Sequence, residues 1–409
     1  MKKLNVILYT SKNIQSRIGT LSHTAHKIYF EYSAQFLENP LWLSPFKLPP
    51  EQKFHEHKDL SFGPVFGLFD DSLPDGWGLL LMDRYLRKMS IDPKKISVLD
   101  RLAFLGQSTM GALTYEPAMD FEPVDTQIFD IHELAKHSRK ILQGETTIIL
   151  PQLMKAGGSP GGARPKILAG IKGNTIISGE HDLPEGFEHW IIKFTSKNDF
   201  LDAGLIEYAY SLMAKAAGIE MTATKVFETD KNDHFFGIKR FDRLNNRRFH
   251  IHTFGNLIHS NFRIPSCDYA LFLKTTRSLT QNHQDVIKGF KQMIFNILAN
   301  NRDDHVKNFS FMLDKHDEWH LTPAYDLTFS HGPGGQHSMT MLGEAQNPGK
   351  KEIANLGRQS GLSNSEINNC LEQIVEAVKQ WPEFARQSNV TQKSMEKIRN
   401  RMGENIKLL

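Results

Sequence analysis

The chain has 409 residues, 40% of them hydrophobic and 23% charged, with 49 basic against 46 acidic side chains and a net charge of +3. That length suits two or three packed subdomains, and the balance excludes a disordered chain. So small a basic excess gives no warrant for a dedicated nucleic-acid binder.

Two cysteines, Cys267 and Cys370, lie far apart, which fits a reducing cytosol rather than a disulfide framework. Met1-Lys2-Lys3 precedes an apolar run, Leu4–Tyr9, too short for a signal sequence. No stretch reaches the roughly 18 apolar residues of a spanning helix. The expectation is a cytoplasmic protein with no membrane contact.

In chain order, Leu4–Tyr9 and Ile28–Tyr32 read as strands. Leu68–Gly78 is rich in turn residues, and Asp75 is placed to cap a helix through Leu79–Met89. Residues 116–130 are acidic and contain proline, which suggests a boundary. The expected units are residues 1–118, 150–245 and 246–409. In the second, Gly157–Gly162 is a glycine-rich loop. Ile167–Ile171 and Thr175–Ser178 form a hairpin, His189–Phe194 is a strand, a helix follows with Asp202 as its cap and Gly218 at its end, and Phe235–Arg240 is a strand. This order suits a nucleotide-cradling small lobe. In the third, Val286, Ile287, Phe290, Met293, Ile294, Ile297 and Leu298 share one helix face. Phe309–Leu313 and Trp319–Leu321 form a hairpin, and Ser363-x-x-Glu366 is a capping box.

The helix through Leu298 delivers Asp303-Asp304-His305-Val306-Lys307-Asn308. Phosphoryl transfer needs a carboxylate near the attacking hydroxyl and oxygen ligands for magnesium. Asp303 and Asn308 offer these at the D-x-x-x-x-N interval of a protein-kinase catalytic loop. A polar loop after a helix has the same composition. Its neighbours shift the balance: Asp326 follows the hairpin, where a kinase places its second metal-binding Asp; alone it reads equally as a turn aspartate, and the joint occurrence is what counts. Lys193 sits in an otherwise apolar strand and needs a paired charge, from a phosphate or from Glu207 on the next helix; an edge lysine turned to water is the alternative. The glycine-rich loop lacks a Walker-A pattern, yet its backbone N–H groups could cradle phosphates; a plain linker reads the same.

Together these residues resemble the HipA family of serine/threonine protein kinases, toxins of bacterial toxin–antitoxin pairs. Phe69-Asp70-Asp71-Ser72-Leu73-Pro74-Asp75-Gly76-Trp77-Gly78 resembles the family's N-terminal signature. Asp303–Ser310 resembles its D-G-H-x-K-N-F-S loop, Leu321–Asp326 its L-T-P-x-Y-D segment, and Lys239–Arg243 its E-R-F-D-R hinge stretch.

The resemblance implies an α+β, two-lobed, protein-kinase-like fold with a β-rich N-terminal subdomain and a mostly helical C-terminal lobe. It implies Asp303 as the catalytic aspartate and Asn308 and Asp326 as ligands of Mg2+. It assigns Lys193, His305, Tyr325 and Phe241 to ATP, and Gly162 and Ala163 to the G-A-x-x-K loop that ends at Lys166. Seven residues before Lys166, Ser159 matches the family's autophosphorylated serine, where phosphate would add about −1.5 to −2 charge. A turn serine before a proline is the alternative there. The implied substrate is a protein serine or threonine, with an aminoacyl-tRNA synthetase as the kind of target and growth arrest as the outcome. The implied partner is a HipB-like helix-turn-helix antitoxin, through which alone DNA is reached.

Three departures stand out. Asp304 replaces the glycine of D-G-H, which sets a second carboxylate beside Asp303. Lys239 replaces the hinge glutamate. Arg164-Pro165 stands where the best-known members carry Gln-Glu. Asp304 keeps open a second reading, a catalytically silent nucleotide-binding co-repressor that acts through a DNA-binding antitoxin. A small-molecule kinase is a third, which the N-terminal signature opposes. His250-x-His252 has no third metal ligand nearby, and the cluster Arg240, Arg243, Arg247, Arg248 reads as a solvated turn or phosphate contact.

Overall fold

The computed structural model describes residues 2–24, 27–119, 128–145, 153, 161–196, 200–229 and 232–409. The chain divides into two compact units. The first comprises Met1–Asp199, Phe227–His252 and Asn256–His259; the second comprises Phe200–Val226, Thr253–Gly255 and Ser260–Leu409. Sheets and helices alternate along it without a regular βαβ repeat, an α+β arrangement. Among the described residues no helix is long and apolar enough to cross a membrane.

The first unit opens with β1 (Lys2–Ser11), β2 (Ile14–Thr24), β3 (Lys27–Tyr32) and β4 (Phe54–Glu56), and β5 (Leu113–Glu116) closes the sheet in the order β4-β3-β2-β1-β5. The strand expected at Leu4–Tyr9 is longer. Val6, Ile7, Leu8 and Tyr9 are all buried, so both faces of β1 are covered there, and the register shift beside Val6 and Ile7 leaves Ile18 as the extra residue on β2. Helices α1 (Gly76–Lys88) and α2 (Val98–Leu105) lie between β4 and β5 in the chain, and α3 (Ile131–Gln143) follows β5. The expected hairpin is β6 (Lys166–Lys172) with β7 (Thr175–Ser178). Beyond it lie β8 (Glu188–Lys193) and β9 (His234–Lys239), side by side in the order β7-β6-β8-β9 and all antiparallel. Trp77, Leu81, Met82 and Leu86 of α1, Leu134 and Ile141 of α3, and Ile167, Ile171, Trp190 and Ile192 of the sheet form one buried cluster. At about 1.5–3 kcal/mol for each large side chain buried, this shared core holds α1 rigidly against the hairpin.

The arginine cluster corrects its sequence reading. Arg240, Arg243 and Arg248 are buried, and only Arg247 faces water. Asp242 is 1% exposed and accepts from Arg240 Nε and Nη2 at 2.8 and 2.7 Å and from Arg243 Nη1 at 2.7 Å. Arg243 also donates to the carbonyls of Gly111 and Thr109, and Arg248 to that of Gln107. Burial alone would raise the Asp242 carboxyl; the two guanidiniums override it and hold the group well below the ordinary carboxylate range. Nor is His250-x-His252 a metal site: His250 Nε2 meets the Leu43 carbonyl at 2.9 Å, and His252 lies between Ser44 Oγ and the Asp71 carboxylate.

Burial lowers three histidines of this unit to about 4: His189, helped by Arg240; His250, helped by His252; and His259, helped by Lys47. Their unfolded value lies near 6.5, so between about pH 6.5 and 4 the unfolded chain binds more protons than the folded one. Stability is therefore lost as pH falls through that window. The Asp242 contribution, present above its unfolded value of about 3.9, is lost only below it. Urea midpoints measured from pH 7 to 4.5 should fall steadily, and His250→Gln should remove part of the slope.

In the second unit, α4 (Ala203–Ala216), α5 (Tyr269–Thr280) and α6 (His283–Leu298) precede the hairpin β10 (Ser310–Leu313) and β11 (Trp319–Leu321). Helices α7 (Lys350–Gln359), α8 (Asn364–Lys379), α9 (Trp381–Gln387) and α10 (Gln392–Ile406) complete it. Val286, Phe290, Met293, Ile294, Ile297 and Leu298 of α6 are all buried, as their spacing requires. The Ser363–Glu366 capping box opens α8 as expected. Asp202 stands at the start of α4 but does not cap it; its carboxylate accepts from Thr391 N and Oγ1 and from Ser394 Oγ at the start of α10.

Candidate active site

The candidate site in the second unit grows out of the end of α6. Asn300 turns the chain with a left-handed φ of 55°, and Arg302 ties the turn through Asn300 Oδ1 at 3.1 Å and the Gln346 carbonyl at 2.8 Å. The next two carboxylates then part company: Asp303 is exposed, whereas Asp304 is fully buried. Asp304 Oδ2 accepts from Tyr269 Oη at 2.7 Å and pairs with His337 Nδ1 at 2.8 Å, and its Oδ1 accepts from Ser338 N at 2.7 Å.

Asp304 is thus adjacent to Asp303 in sequence, as expected, but its carboxylate turns into the core. In place of a glycine, the chain has here a buried carboxylate that anchors the loop. Asp304→Gly should cost about 2–4 kcal/mol, because three donors lose a buried charged acceptor. Denaturant unfolding measures it.

His305 Nδ1 accepts from Lys307 N at 3.2 Å and so starts the short turn Val306–Asn308. Asn308 Nδ2 donates to the Asp303 carbonyl at 2.7 Å and closes the loop. Because only the NH2 end of an amide can donate, this bond uses Nδ2 and leaves Oδ1 as the acceptor end of the side chain. Past β11, Tyr325 Oη donates to the Lys307 carbonyl at 2.7 Å and lies 2.6 Å from Ser310 Oγ. The Asp326 segment is thereby bound to the 303–308 loop. Asp326 itself has a φ of 57°, a conformation that costs a non-glycine residue about 1 kcal/mol or more and gathers at functional sites.

Sequence reasoning missed the support behind this loop. Asn301 Nδ2 donates to Asn296 Oδ1 at 3.0 Å and reaches the Asp326 carbonyl at 3.5 Å; Asn296 Nδ2 in turn meets Tyr269 Oη at 3.1 Å. One polar chain thus runs from Asp304 to the Asp326 backbone. The asparagines within and just past an otherwise apolar helix were the available signal.

Lys193, Phe241, Gly162 and Ala163 lie in the first unit and Glu207 in the second. Lys193 stands at the end of β8 directly opposite Lys166 on β6 and Phe236 on β9, with its Nζ 5.6 Å from the Phe236 ring. Opposed residues share a sheet face, so two cations meet there beside the glycine-bearing loop. Lys166 Nζ donates to the Gly161 carbonyl at 2.6 Å, which ties this end of β6 to that loop. Glu207 is buried. Phe241 is half-buried between Arg240 and Asp242, whose ion network pins its backbone. Lys239 pairs with Glu188 on the neighbouring strand at 2.6 Å, which accounts for the missing hinge glutamate. Ser159 lies outside the described residues. Asp314, Glu318 and His320 bring ligand atoms within 4.8 Å of one another at the β10–β11 turn, a group none of the sequence motifs includes.

Comparison with known proteins adds the following. Residues 9–116 match the family described as HipA N-terminal domain, and residues 158–382 match the HipA-like C-terminal domain. A Sinorhizobium fredii protein described as "Putative kinase Y4dM" is 22% identical over 205 residues, 46% of this chain, and the chain covers 50% of that relative's length. Among solved structures, HipA of Shewanella oneidensis, in a complex with HipB and operator DNA, overlays with a TM-score of 0.72 at 17% identity, over 99% of this chain and 96% of that one. That overlay establishes the fold. The Helicobacter pylori proinflammatory kinase CtkA overlays at 0.38 with 12% identity, over 54% of this chain and 88% of its own, too low to carry any argument.

Proposed function

The chain belongs to the HipA family, and from that premise we propose that it is an ATP- and magnesium-dependent serine/threonine protein kinase, the toxin of a toxin–antitoxin pair. The observation that carries this reading is the 303–308 loop. An exposed Asp303 is fixed through its own carbonyl by Asn308, and Tyr325 binds the same loop to the segment that bears Asp326.

In this reading Asn308 Oδ1 and the Asp326 carboxylate would hold a magnesium ion, which would supply charge neutralisation for the transferred phosphate. Lys193 would contact the phosphates from the end of β8, and Gly162 and Ala163 would lie in the loop beside them. The family resemblance assigns Phe241 to the adenine and His305 and Tyr325 to the nucleotide. Asp303 accepts or orients the hydroxyl proton of the attacking serine or threonine, so that the oxygen approaches the γ-phosphorus in line. Much of the rate enhancement would come from this positioning, which is why the loop is braced by buried hydrogen bonds.

The target would be a protein of the cytoplasm, with an aminoacyl-tRNA synthetase as the expected kind, and growth arrest would follow. Ser159 would be the site of autophosphorylation, where added charge redirects a loop near the nucleotide phosphates. A small HipB-like antitoxin would neutralise the toxin and carry it to DNA; the HipA of Shewanella oneidensis was solved with such a partner. The test is incubation of the purified chain with labelled ATP and magnesium, followed by mass spectrometry of its own peptides and of extract proteins. Labelled serine or threonine, with Ser159 among the sites, supports the reading; absence of any transfer rejects it.

A further inference from the structure

Asp75 occupies the position before α1 where a carboxylate would cap the helix, yet its side chain makes no capping bond to that helix. Its carboxylate instead accepts the backbone N–H of Gly162. Trp77 N donates to the Gly162 carbonyl at 3.0 Å, and Trp77 Nε1 donates to the Lys166 carbonyl at 3.2 Å. Lys166 Nζ turns back to the Gly161 carbonyl at 2.6 Å. Between them Gly76 adopts a φ of 40°, and a Cβ there would stand 2.6 Å from Ala163 Cα and from the Gly162 carbonyl oxygen. Both backbone groups of Gly162 are thus taken by the first turn of α1. The Trp77 ring, 1% exposed, roots that turn in the core that also contains β6 and β8.

We propose that Asp75, Gly76 and Trp77 are positioning residues for the nucleotide loop: they clamp Gly161–Lys166 in the conformation that meets the phosphates. The N-terminal segment then sets nucleotide affinity through the loop. This rests on the kinase reading above. The clamp explains each residue type in turn. The carboxylate gives a charge-assisted bond to a backbone N–H. The glycine permits both the left-handed turn and the close approach of a second backbone. The tryptophan supplies a large apolar anchor with a polar N–H that has a partner.

The test uses the full chain with the Asp75→Ala and Asp75→Asn variants. Hydrogen exchange is read over residues 161–166, and binding of a fluorescent ATP analogue is titrated in the presence of magnesium. Asp75→Ala should raise exchange in that segment and weaken nucleotide binding roughly tenfold, the loss of one charge-assisted hydrogen bond. In the transfer reaction KM for ATP should rise by a similar factor, with kcat changed less than about threefold. Asp75→Asn keeps an acceptor oxygen and should restore protection and most of the affinity. Should the alanine variant fail to fold, Asp75→Ser, whose hydroxyl is too short to reach the Gly162 N–H, takes its place.

Unchanged exchange in Asp75→Ala overturns the clamp. Raised exchange with unchanged or tighter nucleotide binding overturns its role in positioning. A wild-type chain that binds no nucleotide removes the kinase reading and the nucleotide role together, and the exchange data then still report separately on the clamp.

Discussion

Asp303→Asn will lower phosphate transfer by about 10²–10⁴-fold, the usual worth of a positioned general base, and leave the fold intact. The side chain is exposed, and substitutions at such positions usually stay within about 0.5 kcal/mol of the parent. The bond that closes the loop runs from Asn308 to the Asp303 backbone carbonyl, which the substitution does not touch. Nucleotide affinity should also survive, because the phosphates and magnesium are assigned to other groups. Transfer from labelled ATP, a thermal melt and a nucleotide titration on the same preparation separate these effects. Normal transfer by the variant would remove Asp303 from its assigned role.

The largest loss of stability is expected from Asp242→Ala, about 3–5 kcal/mol, because two buried guanidiniums are left without their counter-charge. The Arg240 and Arg243 side chains are 1% and 3% exposed, so water cannot take over the role of the lost carboxylate. Asp242 also accepts the Gly111 N–H at 2.8 Å, and Arg243 grips the carbonyls of Thr109 and Gly111. The substitution therefore loosens the 109–111 turn from the segment that carries Phe241. Urea unfolding should show the drop, and nucleotide affinity should fall with it. A change under about 1 kcal/mol would mean that the arginines find other partners.

The local elements were readable wherever burial follows one period. The face of α6 and the hairpin beyond it came from spacing alone, and the Ser363–Glu366 box from a local pattern. What could not be read depends on distant partners. Adjacent aspartates look alike in sequence, yet Asp304 goes to the core because Tyr269 and His337, 35 and 33 residues away, meet it there. Four nearby arginines suggest a wet surface until Asp242 and the carbonyls of residues 107–111 enclose three of them. Asp75 has the features of a helix cap, but a loop 87 residues later competes for its carboxylate and wins. β2 was missed because Gln15-Ser16-Arg17 is polar and its pairing to β1 is set by backbone bonds.

The assignment of Asn308 and Asp326 to the metal is the hinge of the functional account. Its most direct test is calorimetric titration of the chain with ATP, with and without magnesium, beside the Asp326→Asn variant. Binding that requires magnesium and weakens at least tenfold in the variant is predicted, the loss of one charged metal ligand. Absence of ATP binding with magnesium present, or binding indifferent to both the ion and the substitution, would contradict it.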